Sequence, residues 1–217
     1  MQRDAGISAE QGRYFDLLIM DKILLINACV RPGSRTRQLA ESVLEKLDGA
    51  VEEVRLYDSN LAALTAEGIA KREYAAQNQD FSDPEFDLAK QFAAADHIVV
   101  AAPYWDLMFP GVLKLYLENI TVSGITFRYT SHGKPESMCR AKAMDYITTS
   151  GGYIGQNDFG FSYISALARD FFGIQRIRRY TAEGLDIFGA DPDDILRKAM
   201  AAITEDRTPR IIPYPEK

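Results

Sequence analysis

Short runs of almost wholly apolar residues return along this chain between longer stretches of helical period, and that alternation restricts the fold more than any other feature. "KILLINA" (Lys22 to Ala28) has the form of a strand buried on both faces, as in a parallel sheet. Leu39, Ala40, Val43, Leu44 and Leu47 then recur at helical spacing until Asp48 and Gly49 stop them. "VEEVRLYD" (Val51 to Asp58) alternates like a second strand nearer an edge. Residues 59–82 are polar and partly helical, too long for an ordinary connection and therefore an excursion over the surface. Asp83 and Pro84 open a helix with a buried stripe of Phe86, Leu88, Ala89 and Phe92, and "HIVVAAP" (97–103) follows as a central strand. Pro110 begins a helix in which Leu113, Tyr116, Leu117 and Ile120 share a face and Gly124 marks the end. "AKAMDYITTS" reads as strand four, "FSYISALARDFF" as a helix, "IQRIRRYTAE" as strand five, and "DPDDILRKAMAAI" as a closing helix started by Asp191 or Pro192. Five strands alternating with five helices predict a parallel α/β sheet with helices on both faces.

Composition narrows the function. At 217 residues and 47% hydrophobic, residues 20–217 suffice for one domain with a substantial core, while residues 1–19 lack a strand or helix period and are expected to form a loosely held extension. Their deletion is expected to leave cofactor content and melting temperature nearly unchanged. The balance of 25 basic against 31 acidic residues gives no general attraction to nucleic acid or anionic lipid, so any anion must be held locally. Cys29 and Cys139, with His97 and His132, show no metal-ligand spacing, and no metal site is expected. No apolar stretch approaches a membrane span, and a soluble, cytoplasmic protein with reduced thiols is expected.

In open α/β sheets the ligand lies beyond the carboxyl ends of the strands, where the strand order reverses. Three loops are therefore candidates: Arg31 to Arg37, Pro103 to Phe109, and Thr149 to Tyr153. The first lacks both the dinucleotide and the Walker glycine patterns, and no carboxylate cluster follows strand one, which excludes an NTPase and a phosphoacceptor domain. It does place Gly33, Ser34 and Thr36 at the mouth of a helix whose first amides lack partners, with Arg31, Arg35 and Arg37 alongside. That set suits a phosphate; it equally suits a plain helix cap with solvated arginines. "PYWDLMFPG" puts Tyr104 and the single tryptophan, Trp105, beside Leu107, Met108 and Phe109, a surface for stacking a planar ligand, or else ordinary core or subunit contact. "TTSGGY" offers bare backbone donors at Gly151 and Gly152. A phosphate cradle, an aromatic wall and a bare-backbone rim together outline flavin mononucleotide.

"RPGSRTRQLAE", "AAPYWDLMFPGVLKLYLENITVSGITFRYT" and "TTSGGY", in this order, resemble the FMN-dependent NAD(P)H oxidoreductases of the azoreductase and quinone-reductase type over about Lys22 to Ile203. The resemblance implies a flavodoxin-like three-layer fold with strand order 2-1-3-4-5. It implies that Ser34, Arg35 and Thr36 hold the FMN phosphate with Arg31 near. Pro103, Tyr104, Trp105, Asp106 and Leu107 would embrace the isoalloxazine, and Thr149, Ser150, Gly151, Gly152 and Tyr153 line its pyrimidine side. It further implies a homodimer whose partner roofs the substrate pocket, with Phe109, Tyr129, Phe171 and Phe172 as candidates on this chain. NADH or NADPH would donate hydride and a quinone, azo or similar aromatic acceptor would receive it, in ping-pong order, with no protein acid or base assigned. An electron carrier on the same fold, without nicotinamide turnover, is the alternative. Two departures stand out: Asn27 and Ala28 replace serines found before the phosphate loop in some relatives, and no arginine precedes the glycine pair. Arg128, Lys134 or Arg140 would be the cations to meet a 2′-phosphate, although solvation is the simpler reading of each.

Overall fold

The computed structural model describes residues 21–205, and the expected extension at residues 1–19 lies outside them. Its central sheet is parallel and five-stranded: β1 (Lys22–Asn27), β2 (Ala50–Arg55), β3 (His97–Ala101), β6 (Ala143–Thr149) and β7 (Arg176–Ala182), in the order β2-β1-β3-β6-β7. Two short strands, β4 (Phe127–Tyr129) and β5 (Pro135–Ser137), form an antiparallel hairpin of their own. Counted along the large sheet alone, the order is the expected 2-1-3-4-5. Helices α1 (Arg35–Leu44) and α6 (Pro192–Glu205) cover one face, while α2 (Ala66–Asn78), α3 (Asp87–Ala94), α4 (Gly111–Ile120) and α5 (Phe159–Asp170) cover the other. The central strands read as unbroken apolar runs because both faces are packed. Leu24 and Ile26 point to the four-helix side, and Ile23 and Leu25 to the two-helix side.

Several boundaries differ from the sequence reading for local reasons. Strand two ends at Arg55, where a single 3-10 turn over Leu56–Asp58 buries Leu56 instead. The surface excursion contains a full helix, α2, capped by Thr65, whose hydroxyl accepts the Gly68 amide at 3.1 Å. Gly124 does not end α4. That helix stops at Ile120, and Gly124 (φ +93) serves the next turn, where a Cβ would come 2.6 Å from the Phe81 ring. Asp191 caps α6 by accepting the amides of Asp193 and Asp194 at 3.1 Å, with Pro192 as the first helical residue. The β4–β5 hairpin carries no apolar alternation of useful length, which is why the sequence reading passed over it.

One carboxylate lies wholly inside the sheet. Asp145 on β6 is 0% exposed; Arg178 on β7 donates to it from Nε (2.5 Å) and Nη2 (2.7 Å), and His97 Nε2 on β3 stands 2.9 Å away. Burial alone would raise this carboxyl, but the hydrogen bonds from His97 and Arg178 outweigh it and hold Asp145 below its ordinary value.

Candidate functional site

Beyond the carboxyl ends of β1, β3 and β6 lies a cleft of about 450 Å³, lined by residues 29–36, 103–105 and 149–151 together with Leu185 and Asp186. The wall at residues 29–36 is built by Asn27 and Gly33. Asn27 Oδ1 accepts the Cys29 amide at 2.9 Å while its Nδ2 donates to Glu53 at 2.7 Å, which turns the chain as it leaves β1. Gly33 takes φ +69, and Ser34 then caps α1, its hydroxyl accepting the Arg37 amide at 3.4 Å. The first turn of α1 thus presents amides without intrahelical partners, at the positive end of the helix dipole. Of the three arginines, Arg31 is exposed and has no ion pair among the described residues. Arg35 reaches Asp186 at 3.1 Å, and Arg37 turns away to Glu53 (3.3 Å) and Glu41 (3.5 Å). The Thr36 hydroxyl is buried and shares a 2.6 Å hydrogen bond with Thr149, tying this loop to the end of β6. Burial also pushes the Cys29 thiol up.

The aromatic wall is a tight hairpin. Trp105 and Met108 exchange two backbone hydrogen bonds of 2.8 Å, so Asp106 (φ 50) and Leu107 (φ 68) occupy the turn in left-handed conformations. A two-residue turn with positive φ at both centres favours Asn-Gly; placing Asp-Leu there costs on the order of 1–3 kcal/mol per strained residue. Trp105 is 37% exposed in the cleft lining, and the Tyr104 amide donates to Thr149 O at 3.0 Å. Asp106 and Leu107 stand at the turn tip, outside the cleft lining.

The glycine rim is clamped from behind. Ser150 Oγ donates to Gly152 O (2.5 Å), and the loop after β7 docks on the rim through three amides: Gly184 to Gly152 O, Leu185 to Ser150 O and Asp186 to Gly151 O. Glu183 accepts the Ile154 amide at 3.0 Å, and Tyr104 Oη donates to Asn157 O at 2.9 Å. Gly151 faces the cleft; Gly152 does not line it, and Tyr153, 78% exposed, points off its edge. Behind Tyr104, Arg179 on β7 lies 3.0 Å from Asp158 Oδ2, close enough for an ion pair yet not aligned as a hydrogen bond, and 3.4 Å from Glu183. Tyr146 Oη and Thr148 Oγ1, on the same face of β6, are buried without a well-formed hydrogen bond.

The structure places the four residues expected to form the roof in different surroundings. Phe109 (4% exposed) packs inward against Tyr163, and Phe172 (1%) against Phe92 at 4.6 Å between centroids, so both are core residues. Phe171 and Tyr129 pack on Phe127 at 5.0 and 5.2 Å, away from the cleft lining. Burial satisfies aromatic side chains within the chain itself, and sequence position cannot distinguish that from a role on the surface. The sequence reading also missed Cys29, Val30, Leu185 and Asp186. The signal was available for the last two, since the loop after β7 leaves the same edge of the sheet.

Among the described residues no helix is long and apolar enough to cross a membrane. The family described as having a flavodoxin-like fold matches residues 21–206. An FMN-dependent NADH:quinone oxidoreductase of Clostridium acetobutylicum is 34% identical over 198 residues, covering 86% of this chain and 98% of that protein. One of Clostridium perfringens is 32% identical, covering 81% and 92%. Among solved structures, an FMN-dependent NADH-azoreductase of Bacillus anthracis in complex with FMN superposes with a TM-score of 0.70 at 23% identity, covering 86% of this chain and 97% of that one. With its five-stranded sheet in this order and near full-length similarity to these proteins, the chain belongs to the flavodoxin-like family that includes the FMN-dependent NADH:quinone oxidoreductases.

Proposed function

We propose that this protein is an FMN-dependent oxidoreductase that takes reducing equivalents from NADH and delivers them to quinones, azo compounds or related aromatic acceptors in ping-pong order. The observation that carries the reading is the convergence in one cleft of a phosphate-type donor set, an aromatic wall and a glycine rim. The residues suit the cofactor: Gly33 has open space where a Cβ would stand, Arg31 is without an ion pair among the described residues, and α1 begins at the same point.

Ser34, the amides of Arg35 and Thr36, and the Arg31 guanidinium would hold the phosphate. Tyr104 and Trp105, with Pro103 beneath, offer the planar surface for the isoalloxazine, and Asp106 and Leu107 shape the turn that holds them there. Thr149, Ser150 and Gly151 form the opposite rim, with Gly152 and Tyr153 continuing it outward. When bound, FMN supplies the two-electron chemistry, so the protein needs no nucleophile of its own. Its contribution is to orient, to exclude water with the apolar wall, and to offer the Gly151 amide to negative charge on the pyrimidine edge. NADH is favoured over NADPH because two of the three cations considered for a 2′-phosphate are engaged, Arg128 with Glu136 (2.6 Å) and Arg140 with Asp96 (2.8 Å). Exposed Trp105 and Leu107 on the turn beside the cleft, with exposed Phe159 bonded to that turn, favour a homodimer covering them, and two free thiols suit the cytoplasm.

The deciding experiment is to load the purified protein with FMN and add NADH without oxygen. Bleaching of the yellow absorbance, followed by recovery on adding a quinone, is expected. Persistent colour would make the protein an electron carrier, and failure to bind FMN would overturn the reading. Parallel initial-velocity lines are expected for the ping-pong order, and sedimentation at twice the chain mass for the dimer.

A further inference from the structure

We propose that Asp186 is a specificity-determining residue of this cleft: it holds Arg35 where the cofactor phosphate would otherwise be met, and so lowers the affinity for FMN without lowering that for riboflavin. The inference rests on the flavin reading above and concerns a residue outside the three loops that define it.

Asp186 Oδ1 lies 3.1 Å from Arg35 Nη1, and both residues line the cleft. The Asp186 side chain is 71% exposed, but the backbone that carries it is anchored. Its own amide donates to Gly151 O at 2.9 Å, and the two preceding amides, of Leu185 and Gly184, are tied to Ser150 O and Gly152 O at 3.2 and 3.1 Å. Those bonds fix the backbone that carries it. The side chain also packs on bare glycine backbone, since a Cβ on Gly151 would come 2.5 Å from Asp186 Oδ2. Asp186 therefore stands at a defined place between the phosphate loop and the glycine rim.

The electrostatic consequence follows from the charges present. Arg37 is engaged by Glu53 and Glu41, Arg35 is held by Asp186, and Arg31 alone of the three has no ion pair among the described residues. A phosphate monoester, close to a dianion at neutral pH, must either take Arg35 from the carboxylate or bind beside a negative charge. Both raise the cost of holding FMN. Neither touches riboflavin, which has the same ring and ribityl chain and no phosphate. Both groups are partly exposed, so the effect is modest and depends on salt.

The test is a titration of the flavin-free full-length protein with FMN and with riboflavin, followed by quenching of flavin fluorescence, for wild type, Asp186→Asn, Arg35→Gln and the double variant. Asp186→Asn is expected to tighten FMN by about three- to tenfold at low salt, with the gain shrinking at high salt, and to leave riboflavin unchanged. Arg35→Gln is expected to loosen FMN, and the gain from Asp186→Asn to shrink in its presence because the two groups compete for each other. Unchanged FMN affinity in Asp186→Asn, or a full gain without Arg35, would overturn the competition. Equal weakening of both flavins would overturn it too, by making Asp186 a ligand of the ribityl chain. A wild-type protein that binds neither flavin would remove the cofactor reading itself, an outcome distinct from the others. Melting temperature serves as the folding control, since Asp186 lies on an exposed loop.

Discussion

Arg178 and Arg179 are neighbours on β7, yet they enter two different kinds of polar cluster because successive strand residues face opposite sides of the sheet. On the side of α1 and α6, Arg178 closes a network with Asp145 and His97 in which both carboxylate oxygens are bonded. On the other side, Arg179 meets Asp158 and Glu183 in looser geometry, beside Tyr146 and Thr148 hydroxyls that make no well-formed hydrogen bond. The closed network holds the sheet together far from the cleft. The open one lies directly behind Tyr104 and clamps the segment from Ile154 to Asp158 through Glu183 and the Asp158 cap of α5. The network around Asp145 is matched at both carboxylate oxygens, whereas the one behind the binding wall combines looser ion pairs with a neighbouring strained turn.

The contrast is broken most forcefully at Asp145. Asp145→Ala removes the buried carboxylate that Arg178 and His97 share and is expected to cost about 3 kcal/mol in urea unfolding, with flavin affinity per folded molecule unchanged. The same group sets a pH dependence: its folded value is depressed, so its contribution is present above the unfolded carboxylate value of about 3.9 and is lost as pH falls through the lower folded value. Acid unfolding should therefore lose this component in Asp145→Asn, and an unchanged acid profile would show that the network adds nothing. Next in size is Trp105→Ala, expected to weaken FMN by roughly 1–3 kcal/mol of stacking, about five- to 150-fold in Kd, with stability little altered. Leu107→Gly relieves a left-handed non-glycine residue and is expected to raise the melting temperature by about 2–4 °C; a fall would mean that the Leu107 side chain is held by contacts worth more than the strain. The smallest effect belongs to Thr148→Val, within about 0.5 kcal/mol, because its hydroxyl gives up no well-formed bond. A loss comparable to that at Asp145 would show that the second cluster is as closed as the first.

Much of the fold was legible in the residues. "KILLINA" and "HIVVAAP" are strands because nothing polar interrupts them, and Pro84, Pro110 and Pro192 start helical segments because a missing amide costs little there. The three loops brought to one cleft were foreseen from their order, since every parallel strand delivers its following loop to the same edge. Left out of view were contacts that depend on which strand lies beside which. Asp186 is 151 residues from Arg35, and Thr36 is 113 from Thr149. Phe109 and Phe172 looked like pocket aromatics and proved to be core, because a ring next to a loop can turn either way.

The sequence by itself determined the alternation of strands and helices, the capped helix start at Ser34 and the kinds of group available in the cleft, since periodicity, capping and turn chemistry act over a few residues. Tertiary structure alone decided that Arg35 faces a carboxylate while Arg31 does not, that Arg178 and Arg179 serve opposite faces, and that Asp106 and Leu107 are strained. Charge pairing and burial depend on distances across the sheet, and those are fixed only when the strands have taken their places.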